Sequence, residues 1–132
     1  MRITFQLIIL FYCFTFLLSC TEEESLNINY PRIKTLDVSV NTMEEVIYQA
    51  EITYRGETEI LSYGFVWSQG NNPDLISGSQ VRLNGKPESN IFTIPIHDFL
   101  IKNTTYTIRA FVETDQYIIY GQKIEFTSLC CL

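Results

Sequence analysis

Nine consecutive residues, Val46-Ile47-Tyr48-Gln49-Ala50-Glu51-Ile52-Thr53-Tyr54, constrain this fold more than any other stretch of the chain. On an extended backbone, Val46, Tyr48, Ala50, Ile52 and Tyr54 share one side, while Gln49, Glu51 and Thr53 take the other. A period of two over that length predicts a strand with one dry face and one wet face. A helix would scatter the same apolar residues around its circumference. No window of the chain shows a sustained helical period, so the rest must be read against a sheet.

Strand signals recur on either side of that segment. Leu36–Val40 alternates, Ile60–Trp67 follows the turn Arg55-Gly56-Glu57-Thr58, and Gln69-Gly70-Asn71-Asn72-Pro73-Asp74 then breaks the pattern with dense turn chemistry. Gln80–Leu83 reads as a short edge strand ahead of the turn Asn84-Gly85-Lys86-Pro87. Ile91–Ile96, Thr105–Thr114 and Ile118–Thr127 complete a set of seven. Short strands with turns every ~8–12 residues predict an all-β chain folded as an antiparallel β-sandwich. A length of 132 residues fits one such domain, and there is no internal repeat.

Composition narrows the function. Fifteen Asp and Glu stand against nine Lys and Arg, a formal net charge of −6. A nucleic-acid partner would need a basic face, so this balance argues against one. A single His, with no clustered ligands, argues against hydrolytic and metal chemistry, and no cofactor is expected. The pair His97-Asp98 points to opposite faces of an extended backbone and cannot act on one proton. Glu57, Glu59 and Asp74 fall short of the six or more oxygens that calcium takes. The sequence contains no Gly-rich phosphate loop and no nucleophile elbow. Asn103-Thr104-Thr105 fits the glycosylation sequon, but no such modification is expected, since a role in the turn before Tyr106 explains these residues.

The N-terminus belongs to targeting rather than to the fold. Met1-Arg2 precedes an apolar run, Ile3 to Leu18, broken only by Thr4, Gln6 and Thr15. That is short of the ~20 residues a membrane-spanning helix takes and suits a signal-peptide core. The run closes on Leu17-Leu18-Ser19-Cys20, which resembles the bacterial lipoprotein signal. The resemblance implies cleavage before Cys20, lipid on its thiol, and a membrane partner reached through that lipid. Leu18, two positions before the Cys, departs from the small residue more usual there. Thr21-Glu22-Glu23-Glu24-Ser25 follows, three adjacent acids that cannot enter a core. An acidic cluster in this position also resembles the surface-export signal of Bacteroidetes-type lipoproteins. That implies a bacterial outer-membrane location with the domain facing out of the cell; a plain charged linker, with the domain facing the periplasm, is the alternative.

Four cysteines suggest disulfides, but the count does not hold up. Cys13 lies in the leader, Cys20 is committed to lipid, and Cys130 and Cys131 are neighbours at the C-terminus, where a vicinal bridge would be strained. The fold must therefore stand on its hydrophobic core. The tail Ser128-Leu129-Cys130-Cys131-Leu132 has no strand pattern, and reads either as a tail with reactive thiols or as the end of a truncated frame.

Three blocks bring a family into view. Leu100-Ile101-Lys102-Asn103-Thr104-Thr105-Tyr106 resembles the run that opens strand F of fibronectin type III domains, with Lys102 in place of the usual Pro. Ser62-Tyr63-Gly64-Phe65-Val66-Trp67-Ser68, Asn103–Phe111 and Tyr120–Thr127 follow the order of the fibronectin-type-III-like modules of Bacteroidetes surface lipoproteins. The resemblance implies an immunoglobulin-like (fibronectin type III-like) sandwich in which Leu100 and Tyr106 are structural and the Tyr106 hydroxyl bonds back to upstream backbone. It divides the chain into a signal peptide (1–19), an acidic tether (20–31), the module (32–128) and a tail (129–132). It does not specify a ligand, since one fold hosts many functions.

Two places invite a binding role. Trp67 shares a face with Tyr63 and Phe65, where core packing is the expected use and stacking on a sugar ring the alternative. If Tyr106, Ile108, Ala110 and Val112 point inward, then Arg109 and Phe111 point outward, near Tyr117 and Tyr120. That arrangement reads as a contact patch or as cross-strand pairs that shield the sheet. The resulting expectation is a non-catalytic, lipid-anchored module for binding, adhesion or spacing, with an extracellular glycan or protein as partner. The alternative is a truncated N-terminal spacer from a larger surface protein.

Overall fold

The computed structural model describes residues 29–40, 45–70, 72–97 and 100–129; the apolar N-terminal run, Cys20, the acidic run, Asp98, Cys130 and Cys131 lie outside them. Eight strands follow in order: β1 (Arg32–Val40), β2 (Val46–Tyr54), β3 (Ile60–Ser68), β4 (Ser79–Asn84), β5 (Ile91–Ile96), β6 (Thr105–Thr114), β7 (Ile118–Tyr120) and β8 (Ile124–Thr127). One sheet has the order β1-β2-β5. The other runs β4-β3-β6-β7, with β8 pairing further along β6. All pairings are antiparallel. The result is an antiparallel β-sandwich, as the alternation predicts.

The core lies between the two inner faces. Val46, Tyr48, Ala50 and Ile52 of β2 meet Phe65 and Trp67 of β3 and Ile108, Ala110 and Val112 of β6. Tyr48 sits at the centre, fully buried, with its ring 5.4 Å from that of Phe65, 5.5 Å from Trp67 and 5.7 Å from Phe126. Ring pairs at such separations add to the burial of their area. Tyr54, the last residue of the β2 pattern, is exposed where the strand leaves the sandwich.

Two departures from the sequence reading share one physical cause. The first strand begins at Arg32, ahead of the alternation at Leu36–Val40, and its inward set changes from Ile33 and Thr35 to Val38 and Val40 across a register shift. The last predicted strand, Ile118–Thr127, is two strands separated at Gly121–Lys123. Phe111 pairs with Tyr120 while Ile108 pairs with Ile124, so one side of the ladder carries an extra residue, a β-bulge. At that bulge Gly121 N–H donates to the Ala110 carbonyl at 2.9 Å, while the Gly121 carbonyl accepts from Arg109 Nε at 3.1 Å. The Ala110 N–H is taken up from the other sheet by the Thr35 Oγ1 at 3.0 Å.

The Gln122 side chain completes the seam by donating to the Thr35 carbonyl and accepting from the Thr35 N–H. A Cβ at Gly121 would overlap Thr35, so only glycine lets β1 approach this closely. A buried Thr thus closes one edge of the sandwich. Thr35→Val keeps the shape but leaves a buried N–H without an acceptor. Urea unfolding should show a loss of about 1–3 kcal/mol; a neutral result would mean the seam carries no weight.

Candidate functional site

The outer face of the five-stranded sheet is built from alternate residues of four strands. Ser62, Gly64 and Val66 of β3, Arg109, Phe111 and Glu113 of β6, Tyr120 of β7 and Arg82 of β4 occupy it, as their registers require. Phe111 is outside the core cluster yet fully buried. The Arg82 guanidinium lies over its ring at 5.7 Å, pairs with Glu113 at 2.7 Å, and Glu113 also accepts from Ser62 Oγ at 2.6 Å. Phe111 therefore does not present an exposed aromatic contact, and that expectation is corrected. Alternation along β6 fixes which way the ring points but says nothing of a cover supplied by β4.

A second cover comes from the connection between β3 and β4, which crosses β6 to reach β7. Leu75 N–H donates to the Tyr120 hydroxyl at 3.2 Å, and Lys123 Nζ donates to Asn72 Oδ1 at 2.9 Å. Pro73 is buried beneath it. Asp74 starts the turn that makes this crossing: its Oδ1 accepts from Ser77 N–H at 2.7 Å, Ser77 Oγ at 2.9 Å and Ile76 N–H at 2.9 Å. Those bonds, first the Ser77 backbone, then the Ser77 hydroxyl, then Ile76, hold the Asp74 carboxyl below its ordinary pKa, with a smaller push from the Arg109 charge. Asp74 is thus committed to its own turn.

Of the other predicted site residues, Arg109 is half-buried with its guanidinium 4.6 Å from the Tyr120 ring centre, a cation–π distance. Tyr120 is half-buried as well. Tyr117 is exposed and packs its ring 5.6 Å from Tyr30, just before the first strand. Arg109, Phe111 and Tyr120 are therefore brought together, with Phe111 enclosed, while Tyr117 stands apart beside Tyr30. His97 is exposed and next to a residue outside the described set.

The Tyr106 hydroxyl accepts from the Ile101 N–H at 2.9 Å. Asn103, between them, adopts a φ of 53°, a left-handed conformation that Asn tolerates better than most side chains. Ser128 Oγ ties the same turn to the chain's last described residues by donating to the Ile101 carbonyl and accepting from Thr104 N–H. Among the described residues, no group of three or more His, Cys, Asp or Glu is placed to hold a metal.

A concavity that sequence reasoning does not locate opens at one end of the sandwich. It has a volume of about 360 Å³ and lies between the end of β3 and the segment leading into β6. Trp67, Ser68, Gln69, Ser77 and Ser79 line it together with Leu100, Ile101 and Tyr106. Trp67 is 3% exposed, and Leu100 packs partly against the core. The Leu100–Tyr106 turn and the β3–β4 connection are distant in sequence, so only the folded sheet brings them together.

No protein-family model matches the chain, and no curated protein does. Among solved structures it is similar to the sensor domain of an anti-sigma factor from Pseudobacteroides cellulosolvens. The two are 15% identical, with a TM-score of 0.59, over 79% of this chain and 99% of that one. A myokine structure aligns at 9% identity and a TM-score of 0.45, over 74% of this chain and 97% of its own. The first likeness is one of fold.

Proposed function

We propose that this chain is a non-catalytic lipoprotein of a bacterial outer membrane, presenting a single fibronectin-type-III-like sandwich for binding, adhesion or spacing outside the cell. The observation that carries the reading is the order of parts. Leu17-Leu18-Ser19-Cys20 and three glutamates lead within a dozen residues into a sandwich whose first strand begins at Arg32. Strand order β1-β2-β5 against β4-β3-β6, with Tyr106 bonded back to Ile101, is in keeping with the fibronectin type III resemblance. A likeness in fold to a sensor domain is in keeping with recognition rather than turnover. The partners are the membrane, through lipid on Cys20, and an extracellular glycan or protein.

Lipid anchoring of this kind is durable, because each buried CH₂ contributes ~0.8 kcal/mol and more than one acyl chain is attached. Growing cells with an alkyne-tagged palmitate tests it. The wild-type chain should carry the tag and sediment with membranes, whereas Cys20→Ala should lose the tag completely and leave the lipid-anchored fraction. Retention of the tag by Cys20→Ala would refute the anchor.

A further inference from the structure

The concavity at the end of β3 offers an unusual set of groups. Trp67 is almost wholly buried, its ring 5.5 Å from that of Tyr48, yet its indole N–H has no hydrogen-bond partner among the described residues. Gln69 and Ser79 are exposed and likewise unbonded there. By contrast the Ser68 hydroxyl is engaged by Gly70 at 3.2 Å, and that of Ser77 by Asp74 at 2.9 Å. What remains for a ligand is one N–H donor, a carboxamide and a hydroxyl that both donate and accept, and the aliphatic wall of Leu100 and Ile101. No Asp, Glu, Lys, Arg or His is among the lining residues; Tyr106 is, and its hydroxyl accepts from the Ile101 N–H.

These groups select a chemical class. An anion placed here would lose water without gaining a counter-charge. A wholly apolar ligand would leave the Trp67 N–H covered and unbonded. A neutral ring bearing several hydroxyls satisfies both sides, pairing its hydroxyls with Gln69, Ser79 and Trp67 while its C–H face lies on Leu100 and Ile101. A volume of about 360 Å³ falls in the range of small-ligand sites. We infer that this cavity binds a neutral sugar residue, the terminal unit of a glycan. The inference rests on the reading of the chain as a binding module and gives that module its ligand class.

Trp67 is the only tryptophan of the chain, so a ¹⁵N-labelled sample has a single indole N–H resonance, located in the site itself. The full chain in detergent micelles is titrated with glucose, galactose and N-acetylglucosamine, with glucose 6-phosphate as the charged probe. At least one neutral sugar should shift that resonance saturably, with a dissociation constant near ~1 mM. Gln69→Ala and Ser79→Ala should each weaken the binding about fivefold, the worth of one hydrogen bond. Both side chains are exposed and make no hydrogen bond among the described residues, and the remaining resonances report whether each variant is folded. A resonance unmoved by all three neutral sugars would overturn the inference. So would a shift undiminished in both variants, or glucose 6-phosphate binding as well as the neutral sugars. The titration reads the cavity alone and palmitate incorporation reads the anchor alone, so either can fail without the other.

Discussion

Phe111→Ala should lower the unfolding free energy by about 3–5 kcal/mol, the usual cost of emptying a buried phenylalanine site. The ring is fully buried on the outer face of the five-stranded sheet, between the Gly64 and Tyr120 positions of the neighbouring strands and beneath Arg82. Its removal leaves a void roofed by an Arg82–Glu113 ion pair that cannot collapse into it without breaking. Against a total stability of ~5–15 kcal/mol, that is a large share. Urea unfolding followed by circular dichroism measures it. A surface contact residue would give a change within ~0.5 kcal/mol, and that outcome would mean the ring is not enclosed.

Gly64→Ala should cost about 3 kcal/mol, near the top of the ordinary range for overpacking. Its Cβ would overlap the Val81 carbonyl oxygen, a backbone atom that no rotamer change can move away. Gly64 pairs with Arg82 on one side and Phe111 on the other, so the strain falls on the contact that covers Phe111. Hydrogen exchange should show β4 losing protection before β6 does. Gly70→Ala is the control: the nearest atom to its Cβ would be the Ser68 hydroxyl at 3.6 Å, ordinary contact, and stability should hardly change. Equal effects at the two glycines would contradict the close approach of β3 and β4.

The alternation of Val46–Tyr54 and of Thr105–Thr114 was enough to place the central strands and their inner faces, because one face of each is packed on the core. Thr35 and Gly121 were not readable in the same way. A buried Thr whose hydroxyl serves the opposite sheet looks polar in a pattern, and an extra residue in one strand shifts the pattern by one without a turn signal to mark it. Phe111 failed for a further reason. Periodicity gives the direction of a side chain relative to its own strand, but its exposure depends on Arg82, 29 positions earlier in sequence. The cavity lined by Trp67 and Ile101 is likewise a product of tertiary structure, since neither the end of β3 nor the turn before Tyr106 carries a binding motif of its own.

The central claim, that the sandwich is displayed outside the cell on a lipid anchor, is tested most directly by protease treatment of intact cells followed by immunoblotting. The account predicts that the cell-associated band disappears while a periplasmic protein in the same cells is spared. A band that survives on intact cells, although the purified protein is cut under the same conditions, would contradict it and put the domain on the inner side of the outer membrane.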